Sequence, residues 1–282
     1  MKAAWPLAII CLCAEGAVAQ HVVGARAGTV HLTVGDVRAD GQPVRAARAD
    51  FPLLKDGQVL ATGVDARAEV LLAPGVFLRL FERGSLRMAD TRLDHTAVDL
   101  LKGTSLVEVV ETAKGSRIQI RFGPTVTEFK GMGVFRFDAD TGVLRVWGGE
   151  AEVQTGSQII KAGQGKLVHL ADGLATGKFD SKQQDEWQQW AARMSFDLYV
   201  TSAEARRHRT HWEMTATGWS WNRDFLTRFY SPLVAREFQL KQAREQQEKA
   251  AFQQTLDSLA AQDSQRAEQQ QIQQQQTAPA KK

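Results

Sequence analysis

The chain has 282 residues, of which 43% are hydrophobic and 24% charged, so it is long enough for one large or two small folded domains. Its formal net charge is only +3, and the basic residues are spread along the whole chain. Binding to a nucleic-acid backbone needs a concentrated basic surface, so nucleic acid is not an expected partner.

The first residues have the pattern of an export signal peptide. Residues 1–19 read MKAAWPLAIICLCAEGAVA, with Lys2 before an apolar run and a small-x-small ending at Ala19. We therefore predict cleavage after Ala19 and a periplasmic or secreted protein. Cleavage would remove Cys11 and Cys13, the only cysteines, so we expect no disulfide and no thiolate metal site. No motif for a cofactor is present either, so we expect none. No later stretch is apolar for 18 residues, so no transmembrane segment is expected in the mature chain.

Short β-type runs separated by glycine turns dominate the first two thirds of the chain. We assign residues 20–55 to an N-terminal β lead-in and residues 56–170 to the main β domain. Within it, residues 116–122 (SRIQIRF) alternate between apolar and polar, as in a half-buried strand, and Glu108 is expected to face water. The spacing predicts a mainly β fold, either a Gly-turn-rich β-solenoid or a β-sandwich-like module, and does not choose between them.

After residue 170 the composition predicts an α-helical C-terminal extension. Residues 171–180 have the composition of a linker, and residues 181–232 form a Trp-rich helical region. Ser181 with Gln184 has the spacing of a capping box before a helix that carries Trp187 and Trp190 on one face.

Residues 233–282 are predicted to form a Gln-rich helix, opened by Pro232, and a disordered tail. Phe252, Leu256 and Leu259 make a short apolar stripe on this helix, as in a coiled coil. The heptad does not persist, so a long coiled coil is not predicted, but self-association through the helix is possible.

Five segments of the main β domain occur in the order and spacing of a known family. They are residues 61–80 (ATGVDARAEVLLAPGVFLRL), 82–88 (ERGSLRM), 100–109 (LLKGTSLVEV), 131–154 (GMGVFRFDADTGVLRVWGGEAEVQ) and 162–168 (AGQGKLV). Together they resemble the FecR domain, an extracytoplasmic β module of regulators of ferric-siderophore signalling. The resemblance implies a compact, solenoid-like module.

The chain departs from the FecR pattern in three places. Ala73-Pro74-Gly75 replaces the family's Asp-Gly-Ser turn, and Gly131-Met132 replaces its Gly-Thr. An export signal stands where those regulators have an anti-sigma segment and a membrane helix. The resemblance therefore implies a stand-alone, exported interaction module, and not direct transmission to a sigma factor.

The sequence contains no residue set that specifies a reaction, so we expect no catalytic residues, no metal ligands and no enzyme. The carboxylate pairs Asp138/Asp140 and Glu150/Glu152 could serve glycoside hydrolysis, but their positions at turns and on a strand are typical of solubilising surface acids.

The most unusual surface feature is aromatic. Trp212, Trp219 and Trp221, with Arg223 and Tyr230, could form a platform for a partner, because Trp, Tyr and Arg dominate binding hot spots. Alternatively, the aromatic residues attach the helical region to the β domain.

Three functional hypotheses follow. The first is a non-enzymatic, exported FecR-like protein that binds an envelope protein, as a protein-interaction or envelope-signalling module. The second is a protein that binds or cleaves cell-wall polysaccharide. The third is a self-assembling structural surface protein.

Overall fold

A computed structural model describes residues 26–46, 51–111, 115–207 and 223–277. These residues form seventeen β-strands followed by two long helices. The strands are β1 (Thr29–Val34), β2 (Val37–Ala39), β3 (Gln42–Pro43), β4 (Val59–Thr62), β5 (Arg67–Ala73), β6 (Val76–Leu80), β7 (Ser85–Thr91), β8 (His95–Lys102), β9 (Thr104–Val109), β10 (Arg117–Phe122), β11 (Thr125–Phe129), β12 (Gly133–Asp138), β13 (Val143–Gly148), β14 (Glu150–Thr155), β15 (Gln158–Gly163), β16 (Lys166–His169) and β17 (Ala175–Lys178). The helices are α1 (Glu186–Arg207) and α2 (Arg223–Thr277).

The strands form two sheets. Sheet I has the order β1-β5-β6-β9-β12-β13-β16-β17, and sheet II has the order β15-β14-β11-β10-β8-β7-β4-β2-β3. Neighbouring described strands pair antiparallel, except β8 and β10, which are parallel. Buried side chains of both sheets meet in one core, so the sheets pack face to face. The prediction of a mainly β fold with a helical extension is confirmed. Of the two predicted arrangements, the described strands form the sandwich-like one and not a solenoid.

The two sheets differ in what covers their outer faces. In β10, Ile118 and Ile120 are buried in the core while Arg117 is exposed. This alternation is typical of a strand that has one face in the core and the other in solvent. In β6 every residue from Val76 to Leu80 is buried, because that part of sheet I is covered on both faces.

A second apolar cluster lies between the outer face of sheet I and the helices. Phe77, Phe81 and Leu106 of the sheet pack there with Trp190 of α1 and Tyr230 of α2. The described molecule is therefore layered as helices, sheet I and sheet II, and the Trp-bearing face of α1 packs on the β domain as its amphipathic pattern predicted.

The capping box that begins α1 lies four residues after the predicted one. Asp185 Oδ1 accepts a hydrogen bond from the Gln188 backbone N–H (3.1 Å), and Gln188 Oε1 accepts one from the Asp185 N–H (3.3 Å). The Ser181–Gln184 prediction was wrong, since both pairs have the same spacing and only Asp185 directly precedes the apolar face of the helix.

Helix α2 begins at Arg223, nine residues before the predicted start at Pro232. Tyr230 has non-helical backbone angles (φ −128°, ψ 15°), and the helix is kinked there. Pro232 accounts for the kink, because it lacks an N–H and its ring crowds the carbonyl four residues earlier. Pro232 thus stands in the first turn of the helical segment that follows the kink, as the sequence predicted.

Two further segments differ from their predicted organisation. The predicted linker at residues 171–180 contains β17, which pairs with β16 because Asp172 and Gly173 form a hairpin turn. The predicted disordered tail is helical as far as Thr277, in agreement with the high helix propensity of Ala, Gln and Glu. The described part of the lead-in supplies β1 to sheet I and β2 and β3 to sheet II.

Candidate functional site

Three charged side chains are buried side by side on the outer face of sheet I. Glu69 in β5 and Arg79 in β6 are directly opposite each other in the strand register, and Glu108 lies on the next strand, β9. Arg79 Nε donates to Glu69 Oε2 (2.7 Å), and Arg79 Nη1 lies 2.5 Å from Glu108 Oε1 as an ion pair. All three are at most 1% exposed. One guanidinium therefore forms ion pairs with two buried carboxylates.

Both helices contact this cluster. Ser195 of α1 accepts a hydrogen bond from Arg79 Nη2 (3.1 Å) and donates one to Glu108 Oε2 (2.7 Å). The Tyr230 hydroxyl of α2, placed by the kink, donates to Glu108 Oε1. The cluster therefore joins three neighbouring strands of sheet I to both helices through polar contacts that are closed to solvent.

His31 of β1 is the cluster's link to the surface. Its Nδ1 lies 2.6 Å from Glu69 Oε1, its side chain is 20% exposed, and its ring lies 5.4 Å from the Phe51 ring. It is placed there by an irregularity in the pairing of β1 with β5 between Val30 and Leu32.

The protonation states of the cluster follow from burial and pairing. Burial acts to raise the pKa of Glu69, but the charge of Arg79 and the hydrogen bond from His31 outweigh it, and the pKa falls to about 2. Burial raises the pKa of Tyr230 well above its ordinary value, and the negative charge of Glu108 adds to that rise. At neutral pH Glu69 is therefore ionised and the Tyr230 hydroxyl is neutral and able to donate.

Two further arginines, Arg67 and Arg136, fix α1 on sheet I. The Arg67 guanidinium lies over the rings of Trp187 (4.8 Å) and Trp190 (5.3 Å). Arg136 of β12 pairs with Asp185, the residue that caps the helix. Cation–π contacts and charge-assisted hydrogen bonds are strongest where water is excluded, so these contacts fix the position of the helix as well as its attachment.

The predicted partner-binding residues fall into three groups. Trp212, Trp219 and Trp221 lie outside the described residues. Arg223 is the first residue of α2. Tyr230 is 1% exposed and attaches α2 to Glu108, so it is a contact within the chain and not a surface for a partner.

The predicted acid pairs have local partners. Asp138 Oδ1 accepts from the Thr141 N–H (3.2 Å) and Asp140 Oδ1 from the Gly103 N–H (3.2 Å), so both shape turns. Glu152 forms an ion pair with Lys130 (3.4 Å).

A shallow groove of about 460 Å³ lies on the outer face of sheet II. Glu128 of β11 and Glu152 of β14 are directly opposite each other in it. Gln119 donates to Glu128 (2.8 Å), and Arg117 lies 3.6 Å from it. The described residues contain no group of three or more His, Cys, Asp or Glu side chains that could hold a metal ion.

Helix α2 is exposed throughout residues 242–262. The part that follows the kink, residues 231–277, corresponds to a length of about 70 Å at 1.5 Å per residue. Phe252, Leu256 and Leu259, which we call the α2 stripe, are 66%, 43% and 52% exposed. Among the helices the structure describes, none is long and apolar enough to cross a bilayer.

No protein-family model matches the chain, and no curated protein matches it. The FecR resemblance therefore stays a prediction from sequence. Two crystal structures of a candidate anti-sigma factor from Parabacteroides distasonis are similar to this chain, at 15% identity and TM-scores of 0.38 and 0.39. Each alignment covers 48% of this chain and 64% of the other, so the chain matches less than two thirds of that protein.

The buried cluster was not found from the sequence, where Glu108 was expected to face water. That prediction was wrong because a single strand does not reveal that helices cover its outer face. A clue was present, since Arg79 and Glu108 each stand alone among apolar residues and Glu69 begins an apolar run that continues to Ala73. Isolated charges of opposite sign in three apolar strands indicate pairing under a covering layer.

Proposed function

We propose that this protein is a non-enzymatic, exported FecR-like module that binds an envelope protein and acts in envelope signalling. The α2 stripe carries the proposal. It places three large, exposed apolar side chains on one face of a helix that is attached to sheet I near its start. Amphipathic helices bind partners through anchors at this spacing, laid against a groove or a second helix.

The attachment of the helices supports an interaction role. The contacts of Glu108 with Ser195 and Tyr230 hold α1 and α2 on sheet I, so the sandwich can serve as a rigid base for the projecting part of α2. A helix displayed from a rigid base loses less conformational entropy on binding than a free one.

A photo-crosslinking amino acid at position 256 tests this function. We expect an adduct with one protein other than this chain, formed in the native host. The matched control is position 254, an exposed glutamine on the opposite side of the same helix. Changing Leu259 to Asp should abolish the adduct at 256 without changing the fold. Equal adducts from both positions would contradict the proposal, and adducts to the same chain alone would favour the self-assembling surface protein.

Export is tested separately. The protein purified from its host should begin at Gln20. A mature protein that retains residues 1–19 would contradict the export assignment and leave the α2 stripe experiment valid.

The groove on sheet II is the observation that favours the second candidate, a protein that binds or cleaves cell-wall polysaccharide. Opposed carboxylates beside amide and guanidinium groups are suited to hydroxyl-rich ligands, and two facing acids can catalyse glycoside hydrolysis. Changing both Glu128 and Glu152 to Gln should abolish any binding or cleavage of purified wall glycan. If wild type neither binds nor cleaves that glycan, this candidate is wrong.

A further inference from the structure

The part of sheet I that lies beyond the buried cluster presents a cationic and aromatic surface. We call it the Arg145 patch, and it consists of Arg136, Arg145, Trp147, Leu167 and Phe179. The strand register places Arg136, Arg145 and Leu167 in one row across β12, β13 and β16. All five residues are partly exposed.

Arg136 and Arg145 are like charges directly opposite each other on neighbouring strands. Such a pair is destabilising unless an anion compensates it. Asp185 compensates Arg136, whereas none of the ion pairs within the described ranges involves Arg145. The patch therefore contains one cation without a counter-charge.

The aromatic side of the patch supplies apolar contact area. The Trp147 and Phe179 rings are 4.8 Å apart and meet edge to face at 69°. Trp and Arg together are the residues enriched where proteins bind proteins most tightly. Carbohydrate would use the aromatic rings but would leave Arg145 uncompensated unless it were itself acidic.

We propose that the Arg145 patch binds an acidic peptide segment of a protein partner, with a carboxylate between Arg136 and Arg145 and an apolar side chain against Trp147 and Phe179. This inference rests on the proposed interaction function but uses a surface separate from the α2 stripe. It identifies the kind of segment that the partner would present to the sandwich.

The test is an NMR titration of the full-length protein labelled with ¹⁵N, in 150 mM salt. The probe is a capped peptide of five glutamates followed by one phenylalanine. The indole N–H signal of Trp147 is assigned from the spectrum of Trp147→Phe, which keeps an aromatic ring in place. We expect the signal to shift and to saturate with the peptide, and not with the same peptide carrying lysines.

Arg145→Gln separates a binding role from a structural one. We expect about tenfold weaker peptide binding, the loss typical of one charge-assisted hydrogen bond. The variant should unfold at an equal or higher urea concentration than wild type, because the repulsion of Arg136 is removed. Arg45→Gln, an exposed arginine in the loop after β3, is the charge-matched control and should bind as wild type does.

Three results would overturn the inference. They are a titration without saturation, an equal loss of binding in Arg45→Gln, and tighter binding of a galacturonic acid hexamer than of the peptide. If the peptide titration saturates but crosslinking from position 256 fails, the Arg145 patch is a binding surface and the α2 stripe is not. If crosslinking succeeds but the peptide does not bind, the α2 stripe is a binding surface and the Arg145 patch is not.

Discussion

Arg79 Nη1 in β6 lies 2.5 Å from Glu108 Oε1 in β9, and neither side chain reaches solvent. A buried ion pair adds little stability compared with a well-packed apolar pair, but the loss of one partner leaves the other charge buried and unpaired. Arg79 also pairs with Glu69, so its loss would leave two buried carboxylates without a cation. The stability of the helix-covered sandwich should therefore depend strongly on this one guanidinium.

Replacing Arg79 with Met should lower the free energy of unfolding by about 3–5 kcal/mol, because it leaves Glu69 and Glu108 buried without a cation. Urea unfolding measures the loss. Arg87→Met is the matched control, since its pair with Asp99 (2.7 Å) is partly exposed and should be worth less than about 1 kcal/mol. Equal losses of unfolding free energy in the two variants would show that the buried ion pair contributes no more to stability than the exposed one.

Acid should destabilise the protein through Glu69. Its pKa is about 2 in the folded chain and 4.5 ordinarily, so the unfolded chain takes up the proton first as the pH falls. The stabilisation is complete above pH 4.5 and is lost between there and about pH 2, by about 3 kcal/mol at 1.36 kcal/mol per pKa unit. Urea midpoints at pH 7, 4.5 and 2 check this. Glu69→Gln should show a shallower acid dependence, and the same slope in both proteins would refute the assignment.

Alkali should act through Tyr230. Burial and the charge of Glu108 raise its pKa, so above its ordinary value of 10.0 the unfolded chain loses the phenolic proton before the folded one does. Stability should fall as the pH rises past that value, and Tyr230→Phe should not show this component. At neutral pH the variant should lose about 1–3 kcal/mol, because Glu108 loses a donor. A variant as stable as wild type at pH 7 would mean that the hydroxyl does not hold α2.

A methyl group at Gly148 should loosen the start of α2. A Cβ there would clash with the Phe229 ring, which packs directly on the strand. We expect Gly148→Ala to cost about 1–3 kcal/mol and to make α2 more sensitive to protease. Gly163→Ala in β15 is the control, because a Cβ at Gly163 meets nothing within 4 Å. If both variants resist protease equally, Phe229 does not fix the helix.

Much of the fold was predictable because its determinants are local. Strands such as β10 follow from alternation over a few residues, and turns follow from glycine. The choice between sandwich and solenoid was not local, since it depends on pairings such as β1 with β5, which join segments about 40 residues apart. Periodicity gives the faces of a strand but not its neighbours.

The site was less predictable than the fold. Tyr230 was identified as a residue of interest, but its role depends on a kink that brings it to a carboxylate 122 residues earlier in the chain. The Arg145 patch depends on register, because Arg136 and Arg145 become neighbours only when β12 and β13 pair. Sequence reasoning selected Trp and Arg as the residue types, but not these positions.

The three residues of the buried cluster precede both helices in the chain. Glu69, Arg79 and Glu108 are synthesised and can be paired in the sheet before Ser195 and Tyr230 exist, since those residues come 87 to 122 positions after Glu108. Until the helices arrive, the three charges keep water on a face that otherwise presents Phe77, Phe81 and Leu106. A sandwich whose helices have not yet docked would thus be less prone to aggregate, because charges interrupt its exposed apolar face. Docking of the helices then buries both the charges and the apolar side chains.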